Sequence, residues 1–246
     1  MTAEKQTMND TKIKISCVIP AYNEEKNIRQ AVASLRRQNI SRNEYEIIVV
    51  DNNSSDATSD EARKAGADKV IVEKNKGTNM ARARGVAESK GKIIAFLDAD
   101  SEAPYNWLEK ITEYLKQPGV AAVSGPYDYG FTGLKKLADE IYNKLILYAM
   151  IPPLLYLIFR RKAGILFGGN FASTKSAIKK IGGIPPIAFW GDDATMAMLF
   201  ARRVGKVFFD PSLRVKSSPR RFEKYGIWLT FLYAKAYLKA YFSVPK

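Results

Sequence analysis

Asp98 and Asp100 stand one small residue apart at the end of the apolar run in the segment IIAFLDAD. Two carboxylates this close repel each other and resist burial. A divalent cation resolves that conflict, and hard oxygen ligands suit Mg²⁺ or Mn²⁺. Asp-x-Asp alone is also common in solvated turns, so its weight depends on what surrounds it. A second acidic pair, Asp192-Asp193, opens a helical pattern in WGDDATMAMLFARR. Acids at a helix start stabilise the macrodipole by about 0.3–1 kcal/mol each, and a rigid helix start is also a good mount for a general base. Three further segments bring polar groups after apolar runs. In PAYNEE, Pro20 and Ala21 let the backbone and Tyr22 approach a flat base, while Glu24 and Glu25 suit the positive start of a helix. In DNNSSDAT, Asp51 can accept from a base or a ribose hydroxyl, and Asp56 reads as a helix cap. In NKGTNMARARG, Gly77 permits a tight turn, and Arg82 or Arg84 can face a diphosphate. The bland reading of those arginines is a basic helix surface.

The elements that must position these groups alternate regularly. KISCVIP is a first strand, followed by a helix with Ile28, Val32 and Leu35 on one face. EYEIIVV is a second strand, followed by a helix from about Asp56 to Ala65. KVIVE, then a helix from Met80 to Ser89, then KIIAFLD continue the pattern. A helix lined by Trp107, Ile111 and Leu115 and a fifth strand, VAAVSG, follow. Strand–helix alternation of this kind predicts a mostly parallel sheet with helices on both faces and right-handed crossovers. Open α/β sheets place ligands at the carboxyl ends of their strands. Four successive strand ends here carry polar, small or acidic groups, which is far less expected by chance than any one of them. The second half differs. Residues 131–160 read as a long helical stretch ending in a charge-free run from Leu145 to Phe159, which Pro152-Pro153 should break. A helix from Lys175 to Ile181, the helix after Asp192-Asp193, and strands KVFFD and LRVKS complete the region.

Composition narrows the chemistry. The 246 residues suit one large domain or a domain with an appendage, and 46% hydrophobic residues suffice for a core. Histidine is absent, which excludes His-ligated zinc and any Ser-His or Cys-His pair, so base chemistry falls to Asp, Glu, Lys or Tyr. The single cysteine, Cys17, lies inside an apolar run and reads as a buried structural thiol; no intrachain disulfide is possible, as expected in a reducing compartment. Lys plus Arg outnumber Asp plus Glu by 39 to 25, a formal charge of +14 that favours an anionic partner. Residues 1–11 are polar, lack the apolar core of a signal peptide and read as a loose tail. No G-x-G-x-x-G follows the first strand, which counts against a dinucleotide site.

PAYNEE, VVDNNSSDAT, NKGTNMARARG, FLDAD, GGN and GDD occur here in the order in which they occur in family-2 glycosyltransferases of the GT-A fold. The chain resembles that family from about Ile15 to Arg221. The resemblance implies a GT-A catalytic domain over 12–221, with a nucleotide-binding half (12–126) and an acceptor half (127–221) carrying an apolar insertion at 131–162. A C-terminal amphipathic helical segment would occupy 222–246. It implies a transferase that moves a sugar from a nucleotide-diphosphate sugar to an acceptor hydroxyl or lipid phosphate, by a metal-assisted inverting displacement. By the same resemblance, Pro20, Ala21, Tyr22, Glu24, Asp51, Asn52, Gly77, Arg82 and Asp98 belong to the nucleotide site. Asp98 and Asp100 would hold Mg²⁺ or Mn²⁺. Gly168, Gly169, Asn170 and Trp190 would lie near the sugar and acceptor, and Asp193, with Asp192 beside it, would be the base. Two departures stand out. Many members carry Asp where this chain has Asn52, which leaves the nucleobase open between uracil, thymine and guanine. Some members also bring a histidine to the metal after the last strand, where VKSSPRRF offers Lys216, Arg220 and Arg221, the arginines being candidates for a phosphate lid.

The run 145–159 is shorter than the roughly 20 residues of a spanning helix and is flanked by Lys144 and by Arg160, Arg161 and Lys162. YGIWLTFLYAKAYLKAYF mixes aromatics with lysines, the composition of an interfacial segment. Together they predict a cytoplasmic protein held peripherally on an anionic leaflet, with a polyprenyl phosphate or other lipid-linked acceptor within reach. A basic nucleic-acid-binding domain would explain the charge but not four aspartates at element ends, so no nucleic acid is expected as partner. A nucleotidyltransferase of related topology would need a Gly-rich, Arg-containing first loop where PAYNEE stands.

Overall fold

The computed structural model describes residues 13–141, 150–160, 162–186, 191–225 and 228–245. Strand β1 (Ile15–Ala21) leads to helix α1 (Ile28–Arg36), then β2 (Tyr45–Asp51), α2 (Thr58–Lys64), β3 (Lys69–Val72), α3 (Thr78–Glu88) and β4 (Ile93–Leu97). The short β5 (Ser101–Glu102), α4 (Trp107–Lys116), β6 (Val120–Ser124) and β7 (Tyr127–Asp128) follow. Helices α5 (Gly133–Ile141) and α6 (Ile151–Phe159) precede β8 (Asn170–Thr174), α7 (Lys175–Lys180), α8 (Asp192–Arg203), β9 (Lys206–Phe209) and β10 (Val215–Ser217). The chain closes with α9 (Arg220–Tyr225) and α10 (Trp228–Ser243).

Seven strands form one sheet in the order β3-β2-β1-β4-β8-β6-β9, and β5, β10 and β7 form a second, three-stranded sheet. All seven residues of β1 and of β2 are buried, as expected of strands covered on both faces. Alternate side chains feed two cores. Val18, Ile48, Ile94 and Phe96 pack on one side with Met196 and Phe200 of α8. Cys17, Ile19, Ile47 and Leu97 pack on the other with Val32 and Leu35 of α1 and Trp107 of α4. The parallel reading holds for β1 with β2 and β4, for β2 with β3 and for β6 with β9. It is broken by β8, which runs antiparallel to both β4 and β6. Pattern alone did not mark this strand, because Gly168 and Gly169 directly precede it.

Register places the chemistry at one edge. Ala21 pairs with Asp51, Asp51 with Val72, and Leu97 with Asn170. Because β8 is reversed, its amino end lies beside the carboxyl end of β4, so Gly169 meets Asp98, and Gly168 meets Arg82. The Asp98 N–H donates to the Gly169 carbonyl at 3.2 Å, extending the ladder by one step.

The apolar insertion is described in two parts, α5 and α6. Pro152 and Pro153 stand in the first turn of α6, where a missing N–H costs no hydrogen bond. Residues 142–149 lie outside the described residues. Helix α6 buries Leu155 and leaves Leu154, Leu157 and Ile158 about half exposed or more. Helix α10 turns Tyr233, Ala236, Tyr237, Ala240 and Tyr241 inward, and Trp228, Leu238 and Phe242 outward. The two helices meet at Phe159 and Phe242, whose ring centroids are 5.1 Å apart. No helix among the described residues is long and apolar enough to cross a membrane.

Candidate active site

A cavity of about 610 Å³ opens at this sheet edge. Tyr22 and Asn52 enter it from the ends of β1 and β2, Gly77 and Arg82 from the start of α3, and Asp98 from the end of β4. Gly168 and Gly169 border it from the approach to β8, and Asp192 and Asp193 from the start of α8. Nine of the residues singled out in the sequence thus share one space.

Arg82 is their hub. Its side chain is 5% exposed and its Nη1 donates to Asp192 Oδ2 at 2.8 Å and to Asn79 Oδ1 at 3.1 Å. Nη2 donates to Asp98 Oδ1 at 3.3 Å. The other Asp98 oxygen, Oδ2, accepts from the Tyr127 hydroxyl at 3.1 Å, and that hydroxyl accepts from Gly169 N–H at 2.9 Å. Asp98 is therefore held from both sides, by a donor from α3 and another from β7. Gly169 is required at this approach, since a Cβ there would overlap the Asp98 carboxyl group. Asp192 is neutralised by Arg82, whereas the Asp193 Oδ1 accepts from the Ala194 N–H at 2.7 Å.

Asp100 does not line the cavity. It sits beside it in a second cluster, where Arg220 Nη2 donates to Asp100 Oδ2 and to Glu24 Oε1, both at 2.6 Å. Burial, and then the charge of Asp98, push the Asp100 carboxyl above its ordinary value, although Arg220 pulls the other way. Carboxylate oxygens are the donor set that Mg²⁺ or Mn²⁺ takes, and a cation beside Asp98 and Asp100 would offset the repulsion between them. The buried Arg82 Nε has no hydrogen-bond partner among the described residues, so a donor remains beside the cavity for an anion. The residues fit a divalent cation with an anionic ligand, Asp98 and Asp100 being the side chains that would hold the metal.

Other expected residues act differently. Pro20 and Ala21 are buried in β1, and the Ala21 carbonyl accepts from Asn52 N–H at 2.7 Å. Asp51 is 4% exposed, accepting from Ser54 N–H at 2.8 Å and from the Ser59 hydroxyl at 2.5 Å. Asn170 is fully buried, accepting from the Trp107 indole at 2.9 Å and donating to the carbonyls of Leu213 and Pro126 at 2.7 and 3.2 Å. It joins α4, β8 and the approach to β10 and does not line the cavity. Trp190 and the side chain of Arg221 lie outside the described residues. Sequence reasoning missed Tyr127, Phe167 and Tyr233, which line the cavity. Tyr127 directly follows the Gly-Pro after the fifth strand read from sequence, so its place after a strand end was a usable signal. Tyr233 comes from α10, which packs over the start of α8 with Ala236 against Gly191.

Comparison with known proteins adds the following. The model of the family described as "Glycosyl transferase family 2" matches residues 16–182. Glycosyltransferase AglE of Haloferax volcanii is 33% identical over 129 residues, covering 50% of this chain and 42% of that protein. The dolichol-phosphate mannosyltransferase of Pyrococcus furiosus is 33% identical over 138 residues, covering 54% of this chain and 38% of that protein. The chain thus spans about four-tenths of the length of these curated relatives. Among solved structures, the mannosyltransferase PcManGT of Pyrobaculum calidifontis, in complex with GDP-Man and Mn²⁺, superposes with a TM-score of 0.67 at 21% identity, over 96% of this chain and 67% of that one.

Proposed function

Because the chain belongs to glycosyltransferase family 2, we propose that it transfers a sugar from a nucleotide-diphosphate sugar, with inversion and with Mg²⁺ or Mn²⁺ as cofactor. The observation that carries this reading is one cavity holding Asp98 and, from a helix 94 residues later, Asp193. The diphosphate would lie at the start of α3, where Lys76 and the positive end of the helix dipole favour an anion. The metal, when bound, supplies Lewis-acid stabilisation of charge on the departing nucleoside diphosphate. Arg82 holds Asp98 and Asp192 in place. An acceptor hydroxyl attacks the anomeric carbon as the bond from that carbon to the diphosphate oxygen breaks, and Asp193 takes the hydroxyl proton.

The acceptor is presented at a membrane. Supporting this are the exposed apolar face of α6, the outward Trp228, Leu238 and Phe242 of α10, and a formal charge of +14. The similar Pyrococcus protein is named for transfer to dolichol phosphate. Such a protein lies peripherally on an anionic cytoplasmic leaflet, and a polyprenyl phosphate or other lipid-linked acceptor reaches the cavity past Tyr233. The test is release of nucleoside diphosphate from a panel of UDP-, dTDP- and GDP-sugars with Mn²⁺, with and without polyprenyl phosphate in anionic vesicles. Acceptor-dependent release from one donor is expected. Release of inorganic diphosphate in its place would identify a nucleotidyltransferase.

A further inference from the structure

Asn52 spends its whole amide donor capacity inside the protein. Its Nδ2 donates to the carbonyl of Asn75 at 2.7 Å and to that of Glu73 at 3.0 Å, while Oδ1 accepts from Gly77 N–H at 2.7 Å. Both amide hydrogens are used, so none is left for a nucleobase. The orientation of the amide is fixed by the same network, since a flip would set its oxygen against two carbonyls. The residue is 6% exposed. The loop it grips is not otherwise embedded: residues 74–78 are all exposed, and Gly77 takes φ +136°, which L side chains rarely adopt. This loop delivers Lys76 and Gly77 to the cavity and sets where α3 begins.

We infer that Asn52 is a positioning residue, a three-bond clamp that holds the 73–77 loop and the start of α3 in the donor-binding geometry, and that it does not read the base. The inference rests on the donor reading above. A carboxylate at this position accepts from Gly77 N–H but donates to neither carbonyl, and its charge faces two carbonyl dipoles. In this chain Asp is therefore a worse occupant than Ala, the opposite of what a base-reading acceptor would give.

The experiment titrates UDP and GDP with Mn²⁺ into the intact protein and into Asn52→Ala and Asn52→Asp, and follows amide exchange at Gly77 without ligand. Asn52→Ala is expected to weaken the better nucleotide by about tenfold, and Asn52→Asp by more. Gly77 exchanges faster in both variants. In turnover the donor KM rises while kcat at saturating donor stays within about threefold, a split that general loss of fold does not produce. Equal affinity of Asn52→Asp and the parent, or a loss confined to kcat, overturns the clamp. If the parent binds neither of these nucleotides nor dTDP, the donor reading fails, and Gly77 exchange still decides the clamp. An unchanged rate in Asn52→Asp removes it.

Discussion

Arg82 Nη1 lies 2.8 Å from Asp192 Oδ2 across 110 positions of sequence, and the same guanidinium reaches Asp98. One buried cation thus joins the two acidic motifs of the chain. Replacing it leaves two carboxylates at the cavity wall without their shared partner. Arg82→Ala is expected to lower stability by about 3–5 kcal/mol, the range for breaking a buried pair. Arg82→Lys should recover only part, because an ammonium lacks the planar fork that spans both acids. Urea unfolding of the three proteins is the check, and an unchanged midpoint for Arg82→Ala would refute the hub.

Asp193→Asn should leave nucleotide binding intact and slow transfer to a hydroxyl acceptor by roughly 10²–10⁴-fold, the span of a lost general base. Transfer to a phosphate acceptor should fall much less. A phosphate monoester has its second pKa near about 6 and needs little proton removal at neutral pH. The variant therefore reports the acceptor's class. Full turnover on a hydroxyl acceptor would place the base elsewhere. Asp192→Asn should act mainly through Arg82, with a smaller effect on rate.

Arg220 and a divalent cation compete for Asp100. Removing the arginine should tighten Mn²⁺ binding in the absence of nucleotide by about two- to fivefold, a modest gain because Arg220 is half exposed. Asp98→Ala and Asp100→Ala should each weaken Mn²⁺-dependent nucleotide binding while the fold persists. Titration calorimetry separates these outcomes. Weaker metal binding in Arg220→Ala would mean that the arginine supports the metal site and does not oppose it.

Vesicle flotation tests the membrane reading. Strong binding to anionic lipid at low salt is expected, with partial release at high salt, since each basic residue near the surface adds about 1 kcal/mol that screening removes. Leu154→Glu with Leu157→Glu on α6 should abolish the salt-resistant remainder. Protein that stays in the supernatant with acidic vesicles at low salt would end the membrane-acceptor reading and leave the sugar-nucleotide reading standing.

The strand ends were legible because a period of two and an uninterrupted apolar run are local signals, as in IIAFLD. The acidic pairs were legible because both sit at the junction of an apolar or helical pattern. What could not be read were hydrogen bonds made across the fold. Asn170 looked like a turn residue beside the sugar, yet its amide is consumed by Trp107, Pro126 and Leu213, partners from three other segments. Asp51 and Asn52 looked like groups facing a base, and both are largely engaged within the protein. Tyr233 had no local pattern to set it apart from the other tyrosines, and Tyr127 was marked only by its place after a strand end. The reversed direction of β8 was equally hidden, since pairing direction is decided by connections and not by composition.

That reversed strand also constrains the order in which the molecule can be made. Strands β3, β2, β1 and β4 emerge from the ribosome with every neighbour they need among themselves, except along the outer side of β4. Its partner β8 arrives more than 70 residues later, and β6 has no place in the sheet until β8 is seated. During that interval a five-residue apolar edge, Ile93–Leu97, has open backbone groups, the condition under which strands pair with the wrong chain. A fragment ending at residue 126 would keep this edge for its lifetime, and would be expected to aggregate before it could bind a nucleotide.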